Sequence, residues 1–228
     1  MLRLKWFLSD FGISFETLSK RLKSLHFDPK EPDTEGFSLE KLSGRVIIGQ
    51  HIEKISYLHI IRLPSGASVE EPRSVFTITE FLFKSESKLA VRITNSPRRL
   101  STFLNSVSAV CDQEFTCDSL EVDIFRWIQC IEKKFGSIRV TQFDINNVRI
   151  SDSTVGRFAL KGAKDVRDEA QQILVGKKYV IESARCELLI SGTKVLFEIF
   201  RGGAAKFLQT PQDQFLIDFE NCLLNAIP

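Results

Sequence analysis

Ser96-Pro97-Arg98-Arg99-Leu100 and Thr210-Pro211-Gln212-Asp213-Gln214 each open an amphipathic stretch, the first running to about Val110 and the second to about Ile227. Their prolines stand 114 positions apart (211 − 97) in a chain of 228 residues. Each is preceded by two β-like runs joined by a short polar turn. A hydroxyl residue followed by proline suits a helix start: the hydroxyl accepts from an orphan N–H, and proline has none to leave unpaired. Two such starts half a chain apart predict a duplicated unit.

Working outward from the first proline, residues 89–93 alternate, with Leu89, Val91 and Ile93 on one side and Lys88, Ala90 and Arg92 on the other. Upstream lie a Lys84-Ser85-Glu86-Ser87 turn, a long strand candidate at 75–83, an acidic Glu70-Glu71-Pro72 loop, a Pro64-Ser65-Gly66 turn and separate strands at 56–63 and 45–50. A first strand is expected at 3–8. Ser14 caps a helix over about 15–27, and the Asp28-Pro29-Lys30-Glu31-Pro32-Asp33 segment breaks the pattern. The helix after Ser96 carries Leu100, Phe103, Leu104, Val107 and Val110 on one face.

The second half repeats the plan. A short strand at 114–117 leads to a helix that starts at Asp118 or Ser119, bears Trp127, Ile128 and Ile131, and ends at Gly136. Strands are expected at 138–143, 147–150 and 157–160, with an extra helix at 165–174. A hairpin of 179–190 and 194–200 turns across Ser191-Gly192-Thr193, and a loop over 202–209 precedes the last helix. The expected fold is therefore α+β: a curved antiparallel sheet from two pseudo-repeated halves, 1–114 and 115–228, in one compact unit. Helices at about 15–27, 97–111, 119–135 and 211–227 back one face, because their apolar stripes need a common sheet to bury them.

Composition narrows the class. Apolar residues are 43% and charged residues 26%, as in a soluble globular protein. There are 19 Phe against two Tyr and two Trp, and Phe has no polar handle to keep wet. Residues 1–114 hold 16 Lys/Arg and 14 Asp/Glu, and residues 115–228 hold 15 of each, so neither half is a basic domain. That weighs against strong non-specific nucleic-acid binding, which needs many phosphate contacts. The five cysteines are odd in number and form no CxxC pair, so free thiols in a reducing, intracellular setting (cytoplasmic or nuclear) are expected. The N-terminus lacks a sustained apolar core, and no run approaches the roughly 20 residues of a membrane span.

The hairpin Cys186-Glu187-Leu188-Leu189-Ile190-Ser191-Gly192-Thr193-Lys194-Val195-Leu196-Phe197, followed after a loop by a helix, resembles the pattern of the TATA-box-binding protein fold. The resemblance extends to most of the chain as element order and to this dozen residues as sequence. It implies two repeats of strand, helix, antiparallel strands and long helix. DNA-binding members are basic and use apolar wedges and Asn side chains in the minor groove, whereas this chain is nearly neutral. Similar folds serve as protein-assembly modules, so the resemblance implies a shape rather than a function.

Chemistry-bearing clusters are few. His51, Glu53 and His59 could form a metal site if His59 lay on the neighbouring strand. Glu86-Ser87-Lys88, with Glu70 and Glu71 upstream, has a nuclease-like spacing but reads as a solvated turn. Asp144, Asn146, Asn147 and Asp152 lack calcium-loop spacing and read as turn chemistry. No Walker, GxGxxG or GxSxG motif occurs, and Cys130 and Cys222 fall among apolar helix residues. No catalytic residue, metal or cofactor is assigned.

The candidate anion or nucleic-acid site is Lys84, Lys88, Arg92, Asn95, Arg98 and Arg99, where 84–99 carry five positive charges against one negative. Two arginines in a first helical turn would favour a phosphate docked there. A second patch, Arg139, Arg157, Lys161 and Arg185, occupies alternating strand positions with Thr141. The expected function is a non-enzymatic binding or assembly module engaging a protein partner, with nucleic acid as a further partner. Direct nucleic-acid binding through 84–99 is the first alternative, and a metal-dependent hydrolase the second.

Overall fold

The structure, a computed structural model, describes every residue except Pro32, Asp33, Glu86 and Ser191. It is an α+β protein built mainly on antiparallel strand pairs. Two compact units form, one of Leu8–Cys117 and one of Met1–Phe7 with Asp118–Pro228. The first strand, β1 (Leu2–Asp10), thus gives its beginning to the C-terminal residues, and its end opens the other unit.

The Leu8–Cys117 unit contains α1 (Phe15–Ser24), β2 (Glu35–Leu42), β3 (Val46–Arg62), β4 (Ser68–Lys84), β5 (Val91–Thr94) and α2 (Ser101–Val110). Strand order is β2-β3-β4-β5. Ser14 caps α1 as its position predicts, its Oγ accepting from the Thr17 N–H at 3.1 Å. The helix stops at Ser24 rather than 27 because the next backbone groups pair elsewhere: the Phe37 N–H donates to Leu25 O (2.8 Å) and the Phe27 N–H to Phe37 O (3.1 Å). Leu18, Leu22, Phe37, Ile47, Phe81, Phe83, Val91 and Phe103 are at most 2% exposed. Phe81 and Phe83 stack at 4.4 Å and meet Phe103 of α2 at 5.6 and 6.2 Å. Burying each such side chain is worth about 1.5–3 kcal/mol.

The helix expected from Ser96 starts instead at Ser101, with Leu104 N–H to Leu100 O (2.9 Å) as its first bond. Asn95 takes a left-handed φ of 47°, and the Ser96 hydroxyl donates to Pro97 O at 3.1 Å instead of capping. A local side-chain bond has displaced the helix.

The other unit comprises the start of β1, α3 (Ile124–Phe135), β7 (Ile138–Arg149), β8 (Val155–Lys161), α4 (Arg167–Leu174), β9 (Val180–Ile190), β10 (Thr193–Phe200), β11 (Ala204–Phe207) and α5 (Asp213–Leu224). A short β6 (Thr116–Ser119) precedes α3 and occupies the residues expected to start that helix. Asp123 caps α3 instead, accepting from the Arg126 N–H at 3.1 Å, and Gly136 at φ 99° ends it. Strand order is β1-β11-β10-β9-β7-β8. The expected loop at 202–209 contains β11, which pairs with both β10 and β1. The turn residue Ser191 lies outside the described residues. Thr210 is no cap either: α5 begins after Gln212, which makes no side-chain capping bond. The core gathers Trp6, Trp127 and Phe219 with ring centroids 5.2–6.4 Å apart, and Phe207 joins Phe219 at 5.2 Å. The Trp6 indole N–H donates to Glu220 Oε2 at 3.1 Å inside this cluster.

Arg167 ties α4 to the rest of its unit. Its guanidinium donates to Glu132 (2.9 Å), Asp165 (2.9 Å) and Ile138 O (2.9 Å). Its hydrogen bond holds the Glu132 carboxyl below the usual range. Burial acts to raise Asp165, but bonds from Arg167 and the Val140 N–H outweigh it and the carboxyl is also lowered. Lowered folded-state values mean that the unfolded chain binds more protons near pH 4, so this stabilisation is present above about pH 4.5 and fades as pH falls. Arg167→Met is expected to lower unfolding free energy by about 2 kcal/mol at pH 7, with a smaller difference at pH 3.5. Urea denaturation at both pH values checks this, and equal midpoints at pH 7 would contradict it.

Candidate functional site

β3 and β4 are 17 residues each, longer than the sheet that roots them. β2 flanks β3 over Ile47–Glu53, and β5 flanks β4 over Glu80–Phe83. Farther out, the two strands pair only with each other among the described residues, in unbroken register from Lys54↔Phe76 to Arg62↔Ser68. At about 3.3 Å per residue this arm extends roughly 30 Å. Lys54 anchors its base, donating from Nζ to Pro29 O and Glu31 O at 2.8 Å each. At the tip, the Leu63 N–H donates to Ala67 O (2.8 Å) and the turn uses Gly66 at φ 86°, where a side chain would be strained.

Two sequence expectations are corrected here. The strands at 45–50 and 56–63 are one strand, because His51–Ile55 continue the ladder. The acidic loop at 70–72 is part of β4, with Pro72 opposite Leu58. Bonded and non-bonded pairs alternate in an antiparallel ladder. Leu63/Ala67 is bonded, so Leu58/Pro72 is not, and proline costs the arm no ladder bond.

The arm is apolar on both sides. Ile55, Tyr57 and Val75 share one face, Leu58, Ile60 and Phe76 the other, and all six are 45–60% exposed. Phe76 touches Phe27 at a centroid distance of 6.4 Å. A solvated strand alternates apolar with polar, whereas this one does not. Contiguous exposed apolar surface of this kind marks an interaction site. The available signal was the run Ile55, Tyr57, Leu58, Ile60 and Ile61, apolar in both phases of the alternation.

The predicted basic site is placed differently. Lys84 ends β4 and Arg92 lies half-buried in β5; Lys88, Asn95, Arg98 and Arg99 are exposed. Arg98 and Arg99 sit in the loop before α2, not in its first turn, so the helix-dipole argument for a phosphate no longer applies. Of the second patch, Arg139 pairs with Glu187, which Lys194 from outside the patch also meets at 3.0 Å, and Arg185 lies 3.9 Å from Glu198, which Lys206 approaches to 3.7 Å. Arg157 and Lys161 are exposed on β8. The β7–β9–β10 face is therefore a mixed-charge ladder in which carboxylates answer Arg139 and Arg185.

The other clusters do not converge. His51 and His59 lie on one strand rather than two neighbours, eight residues and roughly 26 Å apart. Asp144 accepts from the Ser183 hydroxyl at 2.9 Å, Asn147 takes a left-handed φ of 55° at a bulge, and Asp152 pairs with Arg149 at 3.3 Å. Glu86 of the nuclease-like triplet lies outside the described residues, and Glu70 and Glu71 are far along the arm from Lys88. Among the described residues no group of three or more His, Cys, Asp and Glu is placed to share a metal. A groove of about 460 Å³ beside the start of α5 is lined by Phe135, Ile190, Val195 and Phe215, and its Asp218 is paired with Lys134 at 3.1 Å.

Comparison with models of known protein families and with curated protein sequences finds no match to this chain.

His51 sits at the root of the arm, 2% exposed, with its ring 5.0 Å from Phe37 and 5.8 Å from Phe103. Burial pushes its pKa below the ordinary 6.5, against a smaller opposing pull from Glu53. The unfolded chain therefore binds the proton first, so stability holds above about pH 6.5 and declines as pH falls toward the folded-state value. The loss of urea midpoint between pH 7.5 and 5.5 is expected to shrink in His51→Gln; an undiminished loss would show that another group is responsible.

Proposed function

We propose that this protein is a non-enzymatic assembly module that engages a protein partner through the distal β3–β4 arm. The observation that carries the reading is the arm itself: a ribbon with apolar side chains on both faces and no flanking strand among the described residues. A two-stranded ribbon is marginal alone in water, so a partner that covers it adds stability the chain does not supply. Tyr57 and Phe76 supply the aromatic anchors that dominate such contacts. The arm's ionic residues, Lys54, Arg62 and Arg73 against Glu70 and Glu71, nearly cancel, which suits protein rather than a phosphate backbone.

One unit runs α1-β2-β3-β4-β5-α2 and the other α3-β7-β8-α4-β9-β10-β11-α5, each with its strands between a first and a last helix and the second with α4 and one further strand inserted. That order supports reading them as related halves of a TATA-box-binding-like fold. Nucleic acid is the alternative partner and would use the exposed Lys88, Arg98 and Arg99. That alternative expects salt-sensitive retention on DNA or RNA, abolished by Arg98→Glu with Arg99→Glu. Retention no greater than that of a neutral control protein disposes of it.

The arm is testable by shortening. Ile55 and Val75 form a directly opposed pair, so residues 56–74 can be replaced by Asn-Gly, the preferred two-residue hairpin turn. The shortened chain is expected to unfold in a cooperative transition but to lose the proteins that co-purify with the whole chain. If the same proteins stay bound to the shortened chain, the proposal fails.

A further inference from the structure

We propose that Cys130 and Cys222 form a reversible disulfide between α3 and α5, made by a small hydroperoxide and undone by a dithiol. The inference uses neither the arm nor its partner, so it stands or falls apart from the assembly reading.

The two helices pack antiparallel, and three contacts fix their register. Trp127 meets Phe219 at 5.2 Å between ring centroids, Phe135 meets Phe215 at 4.7 Å, and Lys134 pairs with Asp218 at 3.1 Å. Cys130 lies four residues before Lys134 on α3, and Cys222 lies four residues after Asp218 on α5. Residues four apart share a helix face. Antiparallel packing therefore sets the two cysteines opposite each other, one turn from the ion pair. The Cys222 thiol is hydrogen-bonded to Cys130. The Asn225 side-chain amide donates to Cys130 Sγ at 3.8 Å.

A buried free cysteine is ordinarily a small hydrophobe, and Cys111 and Cys186, both 0% exposed, fit that description. Cys117 accepts from the Ser9 hydroxyl at 3.8 Å. The α3–α5 pair differs because a sulfur that solvent reaches is backed by one that it does not. Cys130 is half-buried and Cys222 is 3% exposed. A half-buried sulfur admits a small oxidant more readily than a bulky one. Burial first, then the bond to Cys130, pushes the Cys222 thiol up to about 12, so it stays protonated. Cys130 is accordingly the attacking group and Cys222 the resolving one.

The chemistry runs in two steps. Cys130 releases its proton to solvent, and its thiolate attacks one oxygen of hydrogen peroxide. The O–O bond breaks, Cys130 becomes a sulfenic acid, and the departing hydroxide takes up a proton as water. Cys222 sulfur then attacks Cys130 Sγ and the S–O bond breaks. Hydroxide leaves with the Cys222 proton as a second water. The two thiols lose two electrons in all and the peroxide gains them. A dithiol reverses the result by thiol–disulfide exchange and is itself oxidised to a disulfide. The bridge turns a helix pair held by packing into one held covalently, and it restricts the unfolded chain between residues 130 and 222.

Peptide mapping of the folded, full-length chain after treatment with hydrogen peroxide tests this. A linked peptide containing Cys130 and Cys222 is expected, together with a rise of about 5 °C in the thermal midpoint, both reversed by dithiothreitol. Cys222→Ala is expected to stop at the sulfenic acid, trapped on Cys130 by dimedone. Cys130→Ala is expected to form no linked peptide and to keep its midpoint on treatment, while Cys117→Ala behaves as the parent chain. The parent chain alone can overturn the proposal, whatever the variants do. It fails if peroxide yields no link between Cys130 and Cys222, if dimedone labels Cys130 of the parent instead, or if the linked chain shows no rise in midpoint.

Discussion

The backbone ladder between β3 and β4 is the interaction from which the most consequential feature follows. Its inner part lies within the sheet, where Ile47, Phe81 and Phe83 are buried against Phe103 and held in one register. Among the described residues, the aromatic contact of its outer part is that of Phe76 with Phe27 at the base. Each backbone hydrogen bond contributes a net of only about 1 kcal/mol, too little to hold a solvated ribbon by itself. The arm keeps its form because the root sets the register, and a strand cannot slip by one residue without turning its buried side chains outward. Rigidity is transmitted outward from aromatic packing through the ladder.

The same economy of packing explains why the rest of the molecule offers little chemistry. Titratable groups that the structure draws together are answered locally: Arg167 by Glu132 and Asp165, Arg139 by Glu187, Lys134 by Asp218. Cys186 lies inside the sheet, where burial pushes its thiol far up and away from the reactive thiolate. Cys111 is likewise pushed up, to about 11, by burial. These groups bind elements to one another, whereas the exposed residues of the arm, Ile55, Leu58, Ile60 and Phe76 among them, are apolar.

The Ser-Pro and Thr-Pro dipeptides show how a sound local rule can be overridden. Both fall close before a helix, yet neither caps one. Ser96 bonds to Pro97 O instead, and Gln212 rather than Thr210 precedes α5. Ser14 and Gly136, by contrast, act as their positions predict, because no competing bond draws them elsewhere. Similarly, the apolar stripe from Phe15 to Leu25 announced α1, but the pairing of Leu25 and Phe27 with Phe37 ended it early. β11 was hidden because four residues carry too little periodicity to stand out from a loop.

Sequence alone determined the α+β class, most helices and strands, and the absence of a recognisable catalytic motif, because these depend on residue type and short-range spacing. The arm was half legible: its apolar residues were visible, but their joining into one 17-residue pair was not. Only the tertiary structure decided that β2 and β5 cover the root and leave the outer ladder without a flanking strand among the described residues. It also decided that Arg139 and Arg185 meet carboxylates, and that His51 and His59 stand far apart on one strand. The physical reason is the same in each case. Periodicity tells which way a side chain points along its own element, whereas burial and charge pairing depend on which other element arrives beside it.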